Sequence, residues 1–328
     1  MSRGGETALA LHDFMLKYLV RGLADVSPNR AVSDVPPQAI DQAIETAFLS
    51  LDNDILDRAA KALSKPVELS EAISDLGPAF AGSCALISYY NSDSQQLKVA
   101  CTGDSRAVLG RRNAAGKWEA TALSVDQNGW NEDEVARLQA EHPNEPGMIK
   151  DGRVLNIAVS RAFGDARFKW PRKWTEDATK RFFGPSIQEP YLTPPYLTAE
   201  PVITTTKIEP EKGDFLIMAS DGLWDKVTNE QAIDLVGRWL KTHDPSQEVT
   251  HPNLAQAPTT LVTPRQPSTG GPGEWRTCRY SQSVNSKDFI VADENAATHL
   301  ARNALGGANE DMLCGMLTAG PSMSRNLR

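Results

Sequence analysis

The sequence predicts an α+β fold in which amphipathic helices pack on antiparallel sheet. Two long amphipathic segments open the chain, and four short strand-like runs then follow one another through connections of only a few residues. A parallel sheet needs crossovers of about a dozen residues between strands, so this spacing argues against a doubly wound nucleotide fold.

The first helix is predicted over about 6–23, where Leu9, Leu11, Phe14, Leu16, Tyr18, Leu19 and Leu23 form an apolar stripe beside His12, Asp13, Lys17 and Arg21. The second, over about 37–63, repeats the pattern through Ile40, Ile44, Phe48, Leu51, Ile55 and Leu56, and a polar stretch then runs to Gly82. CALISYY, QLKVACT, RAVLGRR and KWEATAL read as strands separated by the turn-rich pieces NSDSQ, GDS and NAAG. The helix EDEVARLQAEH is predicted to start in a capping box, with Glu134 three residues after Asn131, and to stop before Pro143. Residues 152–158 read as a further strand. The Trp-, Pro- and Thr-rich segment 169–201 reads as an ordered surface insertion with proline-fixed turns. FLIMAS is a buried-strand pattern ending at Asp221-Gly222, after which Thr228 and Gln231 make a second capping box before EQAIDLVGRWL. From about 244 to 288 the composition turns to Pro, Thr, Ser, Gln and Gly without apolar periodicity, which predicts a flexible loop. A helix over about 294–305 and a weaker helical piece follow.

Composition narrows the function. With 34 Lys and Arg against 42 Asp and Glu, the formal charge of -8 lacks the basic footprint of a phosphate-backbone binder, so nucleic acid is not an expected partner. No stretch reaches the roughly 18 apolar residues of a membrane span, and the opening MSRGGETALALHDFM shows no leader or transit pattern. Cys84, Cys101, Cys278 and Cys314 form no C-x-x-C pair, which predicts buried reduced thiols of an intracellular protein.

Three short motifs carry polar residues at turns. ASDGLWD places Asp221 at a strand end with Asp225 four residues on; CTGDSRAVLG reads as a very tight hairpin around Asp104; in VSRAFGD, Arg161 and Asp165 are spaced to pair across a turn. Taken singly, each has an ordinary account as a turn. Taken together with AGSCALIS, SVDQN and TAEP, in this order along nearly the whole chain, they make the sequence resemble the metal-dependent serine/threonine protein phosphatases of type 2C, the PPM family. The pieces ARFKWPRKW, YLTPPYLTAEP and ENAATHLARNAL look most like that family's mitochondrial pyruvate dehydrogenase phosphatase branch.

The resemblance implies a four-layer αββα sandwich, two antiparallel sheets flanked by helices, in a single phosphatase-like domain over 1–328. It implies two Mg²⁺ or Mn²⁺ ions in a carboxylate cleft, where bound water attacks phosphorus. It assigns Asp221 to the dinuclear centre, and Asp104 and Asp225, with Asp221, to a weaker third metal site. The implied partner is a phosphoprotein carrying phosphoserine or phosphothreonine, with pyruvate dehydrogenase the candidate, and the implied compartment is the mitochondrion.

The family's N-terminal Asp-Gly-His-x-Gly motif and its C-terminal Asp-Asp or Asp-Asn pair have no counterpart here, since Met1, Ser2 and Arg3 offer no aspartate and SMSRNLR leads into no acidic pair. The expectation is therefore a phosphatase domain lacking terminal strands and metal ligands at both ends, whose own turnover those gaps put in question. The alternative is a noncatalytic, phosphatase-like module that binds a partner through Trp170, Trp174 and Tyr196, although those rings have packing within the domain as their simpler role.

Overall fold

Burial at helical spacing organises the first third of the chain. In the computed structural model, which describes residues 5–27, 35–64, 68–243 and 286–318, α1 (Gly5–Val26), α2 (Pro37–Ser64) and α3 (Leu69–Phe80) form a helical layer. α1 buries Leu11, Met15 and Leu19, an i, i+4, i+8 row, and half-buries Phe14, Tyr18 and Leu23. Leu9 and Leu16 of the expected stripe point to solvent instead. α2 buries Ile40, Ile44, Phe48, Leu51 and Ile55 as expected, and the Phe48 ring meets Phe163 at 5.4 Å. The stretch before Gly82, polar by sequence, forms α3, whose Ala72, Leu76 and Ala79 close the same core.

Two three-stranded antiparallel sheets follow, confirming the α+β architecture. One has the order β2 (Ala85–Asn91), β3 (Gln96–Thr102), β9 (Val202–Lys207); the other β10 (Phe215–Ala219), β4 (Arg106–Arg112), β5 (Trp118–Ala122). Their facing sides share Leu97, Val99, Ala107, Leu109 and Leu123. The opposite side of the first sheet, through Ala85, Ile87, Ala100 and Ile203, lies under the helices. β3 is thus covered on both faces. Its Lys98, on the helix side, is buried and satisfied by Asp41 of α2 at 2.7 Å and Thr205 at 2.9 Å.

This topology corrects the expected hairpin at Asp104. β3 and β4 are not paired with each other, and residues 103–105 carry the chain from one sheet to the other. Gly103, at φ +105°, makes that tight crossing.

Short pairings tie the remaining loops. β1 (Gly82–Ser83) pairs with β8 (Phe163–Gly164), and β6 (Ile149–Lys150) with β7 (Arg153–Val154). The strand expected over 152–158 shrinks to β7 because Leu155 and Asn156 adopt positive φ and fold the chain back, bridging Val154 to Ile157. α4 (Glu132–Glu141) does start after Asn131, whose side chain accepts from the Asp133 N–H. The expected capping box is not formed, because Glu134 turns inward to Arg161.

Within 169–201 lie α5 (Arg172–Phe182) and a loop pinned by two buried rings. The Tyr196 hydroxyl donates to Glu145 at 2.7 Å and accepts from the Leu192 and Thr193 N–H groups, and Tyr191 donates to the Trp170 carbonyl. Trp170 packs in the helical core against Phe80. Trp170 and Tyr196 are therefore structural, and of the three rings offered for partner binding only Trp174 is substantially exposed.

The chain forms two compact units, 1–221 and 222–328. In the second, α7 (Asn229–Thr242) begins with the expected Thr228–Gln231 capping box, and α8 (Ala296–Ala304) is capped by Asn295. The His299 ring N–H donates to the Leu235 carbonyl at 3.0 Å, and the Trp239 indole donates to the Asp293 carbonyl at 2.8 Å. α6 (Asp221–Trp224) and α9 (Glu310–Thr318) are further α-helices among the described residues. Of the expected flexible loop 244–288, residues 244–285 lie outside the described residues, as does Cys278. Cys101 is buried and Cys84 half-buried, but Cys314 is exposed, contrary to expectation. Among the described residues no helix is long and apolar enough to cross a membrane.

Candidate functional site

The crossing at Gly103 brings the scattered motifs into one hydrogen-bonded web. SVDQN supplies its clamp. Gln127 accepts from the Gly103 N–H through its side chain at 2.6 Å, donates to the Cys101 carbonyl at 2.9 Å, and donates its backbone N–H to the Gly103 carbonyl at 3.0 Å. Its neighbour Asp126 takes a bidentate pair from Arg106 of GDSR, at 2.9 and 2.6 Å. TAEP enters through the Ala199 carbonyl, which accepts from Thr102 at 2.9 Å.

VSRAFGD docks on the same clamp, since the Ser160 N–H donates to the Gln127 carbonyl at 2.9 Å. Arg161 does not pair with Asp165. It reaches Glu134 at 2.8 Å, while Ser160 donates to the same carboxylate at 2.6 Å and Arg137 at 2.9 Å. Burial pushes the Glu134 carboxyl up, but the hydrogen bonds from Arg161, Arg137 and Ser160 outweigh it and hold it at about 2. Asp165 sits at φ +47° with its carboxyl against Gly82, and burial raises its pKa despite Arg167 and Lys169. Its neighbour Gly164 donates to the buried Asp52, which also pairs with Lys169 at 2.6 Å.

Asp104 stands beside this clamp, accepting a hydrogen bond from the Cys84 thiol of AGSCALIS at 3.2 Å. β10 runs antiparallel to β4 with Ala219 opposite Arg106, which delivers Asp221 to the same end of the sheet. Burial raises the Asp104 pKa, and the Asp221 and Asp126 charges add to it. Asp104 and Asp221 are thus brought within electrostatic range of each other, whereas Asp225 is an exposed residue of the second unit. Asp126 and Gln127 are signalled in the sequence only by the SVDQN motif, and Glu134 only as a helix-cap residue.

The described residues do not by themselves supply a full ligand set for the expected pair of divalent cations. Hard cations of this kind take about six oxygen ligands. Among the described residues no group of three or more His, Cys, Asp or Glu side chains is placed to hold a metal.

An Asp104→Asn substitution is expected to raise stability in metal-free buffer at pH 7 by about 0.5–2 kcal/mol, because it removes a desolvated charge facing Asp221 and Asp126. Urea denaturation of the two proteins in chelator checks it, and an unchanged or lower midpoint contradicts the like-charge account.

Comparison with known proteins shows the family. The Protein phosphatase 2C family profile matches residues 19–260. A protein phosphatase 2C homolog of Schizosaccharomyces pombe is 39% identical over 99% of this chain and 69% of its own length. The mitochondrial pyruvate dehydrogenase (acetyl-transferring) phosphatase 1 of Saccharomyces cerevisiae is 37% identical over 99% of this chain and 58% of its own, and the human mitochondrial phosphatase 2 of that name is 33% identical over 88% and 53%. The chain therefore spans between about half and two thirds of these relatives' length. Among solved structures, the serine-threonine phosphatase 2C of Toxoplasma gondii superposes with a TM-score of 0.44 at 19% identity, over 71% of this chain and 70% of that one.

Proposed function

The chain belongs to the protein phosphatase 2C family, and from that premise we propose that its two units serve as one catalytic domain that removes phosphate from phosphoserine or phosphothreonine in a protein. The observation that carries this reading is the web itself: the motifs converge on the sheet end at which the β10–β4 register puts both Asp104 and Asp221. Carboxylates at that sheet end repel a phosphate dianion, so phosphate binding there demands added positive charge. The ordinary source in this family is Mg²⁺ or Mn²⁺, which is why metal dependence belongs to the proposal. The relatives named for pyruvate dehydrogenase favour a mitochondrial dehydrogenase subunit as substrate.

The test is phosphate release from a phosphoserine peptide with and without millimolar Mn²⁺. It uses the 328-residue chain and a version extended to the length of its relatives, each with an Asp221→Asn counterpart. Mn²⁺-dependent turnover that falls at least a hundredfold in Asp221→Asn is the expected result, on the scale of a lost group that stabilises the transition state. A folded extended protein that releases no phosphate, or an Asp221→Asn variant as active as its parent, overturns the assignment.

A further inference from the structure

Beside the Gln127 clamp, one large apolar side chain lies open to solvent. Trp130 is 75% exposed, and Val125, on the same loop, is 68% exposed. Single exposed apolar residues are ordinary on soluble proteins. Trp130 differs in the rigidity of its mounting and in what the mounting is attached to.

The loop is held at nearly every residue. Asp126 pairs with Arg106, and its carbonyl accepts from the Asn131 side chain at 3.1 Å. The Asn128 side chain accepts from the Trp130 N–H at 2.9 Å, and the Gly129 N–H donates to the Gly152 carbonyl at 2.9 Å. The indole rests over Gly152, at the tip of the β6–β7 hairpin, where a Cβ would lie 1.9 Å from the indole nitrogen. An aromatic side chain fixed in this way loses little freedom when a partner covers it, and large rigid aromatics commonly dominate binding surfaces.

The loop is also fastened to the candidate site. Trp130 follows Gln127 by three residues, so their Cα atoms lie within about 10 Å, given a reach of about 3.3–3.6 Å per residue. Gln127 in turn bonds both backbone groups of Gly103, the neighbour of Asp104. Trp130 therefore stands within about 20 Å of Asp104, the span of about six residues of extended peptide.

We infer that Trp130, with Val125, is the docking point for an apolar side chain of the phosphoprotein substrate, located within six residues of the phosphorylated serine or threonine. This rests on the phosphatase reading above, and it adds a specificity determinant to it. Asp126 is paired with Arg106, and the exposed acids Glu132, Asp133 and Asp151 lie close to the ring in sequence or beside Gly152, so the uncharged indole supplies the apolar part of the recognition.

The test is fluorescence anisotropy with fluorescein-labelled 13-residue peptides. Each carries a central phosphonate isostere of phosphoserine, and a single Leu is moved through the six positions on either side against an otherwise Ser/Gly background. Expected is tighter binding for one or more Leu positions, weakened about tenfold or more in Trp130→Ala, largely restored in Trp130→Phe, and unchanged in Trp174→Ala, whose ring is 45% exposed elsewhere on the chain. Circular dichroism confirms that the variants fold, which the exposure of Trp130 favours. Equal binding of the Leu peptides by wild type and Trp130→Ala overturns the docking role while leaving the phosphatase reading intact. If no phosphonate peptide binds any variant while the extended protein still releases phosphate, the docking role alone fails; if both fail, the phosphatase reading fails with it. Loss of a concentration-dependent dimer, or of binding to lipid vesicles, on Trp130→Ala without any peptide effect assigns the ring to another occupant and also overturns the proposal.

Discussion

Glu134→Ala is expected to lower stability by about 3–5 kcal/mol at pH 7, enough to leave a marginally stable domain largely unfolded at 37 °C. The loss is large because the substitution strands its partners. Arg161 is buried, with Glu134 as its closest carboxylate at 2.8 Å and Glu200 only at 3.9 Å, and removing Glu134 leaves a desolvated guanidinium with the Glu200 carbonyl as its remaining good acceptor. Ser160 and Arg137 lose the same acceptor. Glu134→Gln keeps an oxygen for two of the three donors and is expected to lose less. Urea denaturation of the three proteins tests the order.

The pH dependence of that difference has a definite sign. Glu134 is held at about 2 in the folded chain against an ordinary 4.5, so its contribution is complete above about 4.5 and is lost as pH falls towards about 2. The shift corresponds to at most about 3 kcal/mol at neutral pH, less after solvent screening. The stability gap between wild type and Glu134→Ala should accordingly narrow as the buffer is taken from pH 5 to pH 3. A gap constant over that range assigns the loss to packing and not to charge.

The same residue shows what the sequence makes legible. α2, β2, β3, β4 and β5 were readable because their signal is local: apolar spacing of 3.6 or 2 fixes which residues share a face. Asn131 was correctly placed at a helix start, for the cap is also local. Whether Glu134, one turn on, closes that cap or turns inward depends on Arg161, 27 residues away, and nothing in the local pattern records it. The sheet partners of β3 and β4 are illegible for a like reason, since alternation identifies a strand but not its neighbour. On α1 the apolar stripe is wider than the buried face, because Leu9 and Leu16 are apolar residues that the fold leaves uncovered. Asp104 and Asp221 stand out through the family resemblance alone, and the register of β10 against β4 supplies the physical reason they lie at the same end of the sheet. Gln127, which binds that crossing in place, has a side chain that no periodicity would select.

Gly103→Ala is expected to cost about 2–4 kcal/mol and to disturb the site at the same time. Two separable terms contribute. At φ +105° an L side chain is strained by about 1–2 kcal/mol, whatever space surrounds it. A Cβ would also lie 2.2 Å from the Cys84 sulfur, 2.7 Å from its Cβ and 3.3 Å from its Cα, so Cys84 must move or the crossing must open, an overpacking term of about 1–3 kcal/mol. A double-mutant cycle separates them. In a Cys84→Gly background the overpacking part should disappear and the φ part remain, so Gly103→Ala should cost about 1–2 kcal/mol there. Full recovery in that background would mean that the backbone relaxes out of its left-handed conformation. The consequence for the site follows from the bonds Gly103 and Cys84 make. Moving Cys84 removes the thiol that donates to Asp104, and opening the crossing pulls both Gly103 backbone groups from Gln127. In the extended protein Gly103→Ala should therefore lose phosphate release beyond what its fraction unfolded explains, whereas a substitution at an exposed α1 position such as Leu16→Ser should leave turnover unchanged. If turnover per folded molecule is the same in Gly103→Ala as in wild type, the crossing serves the fold alone and not the placement of Asp104.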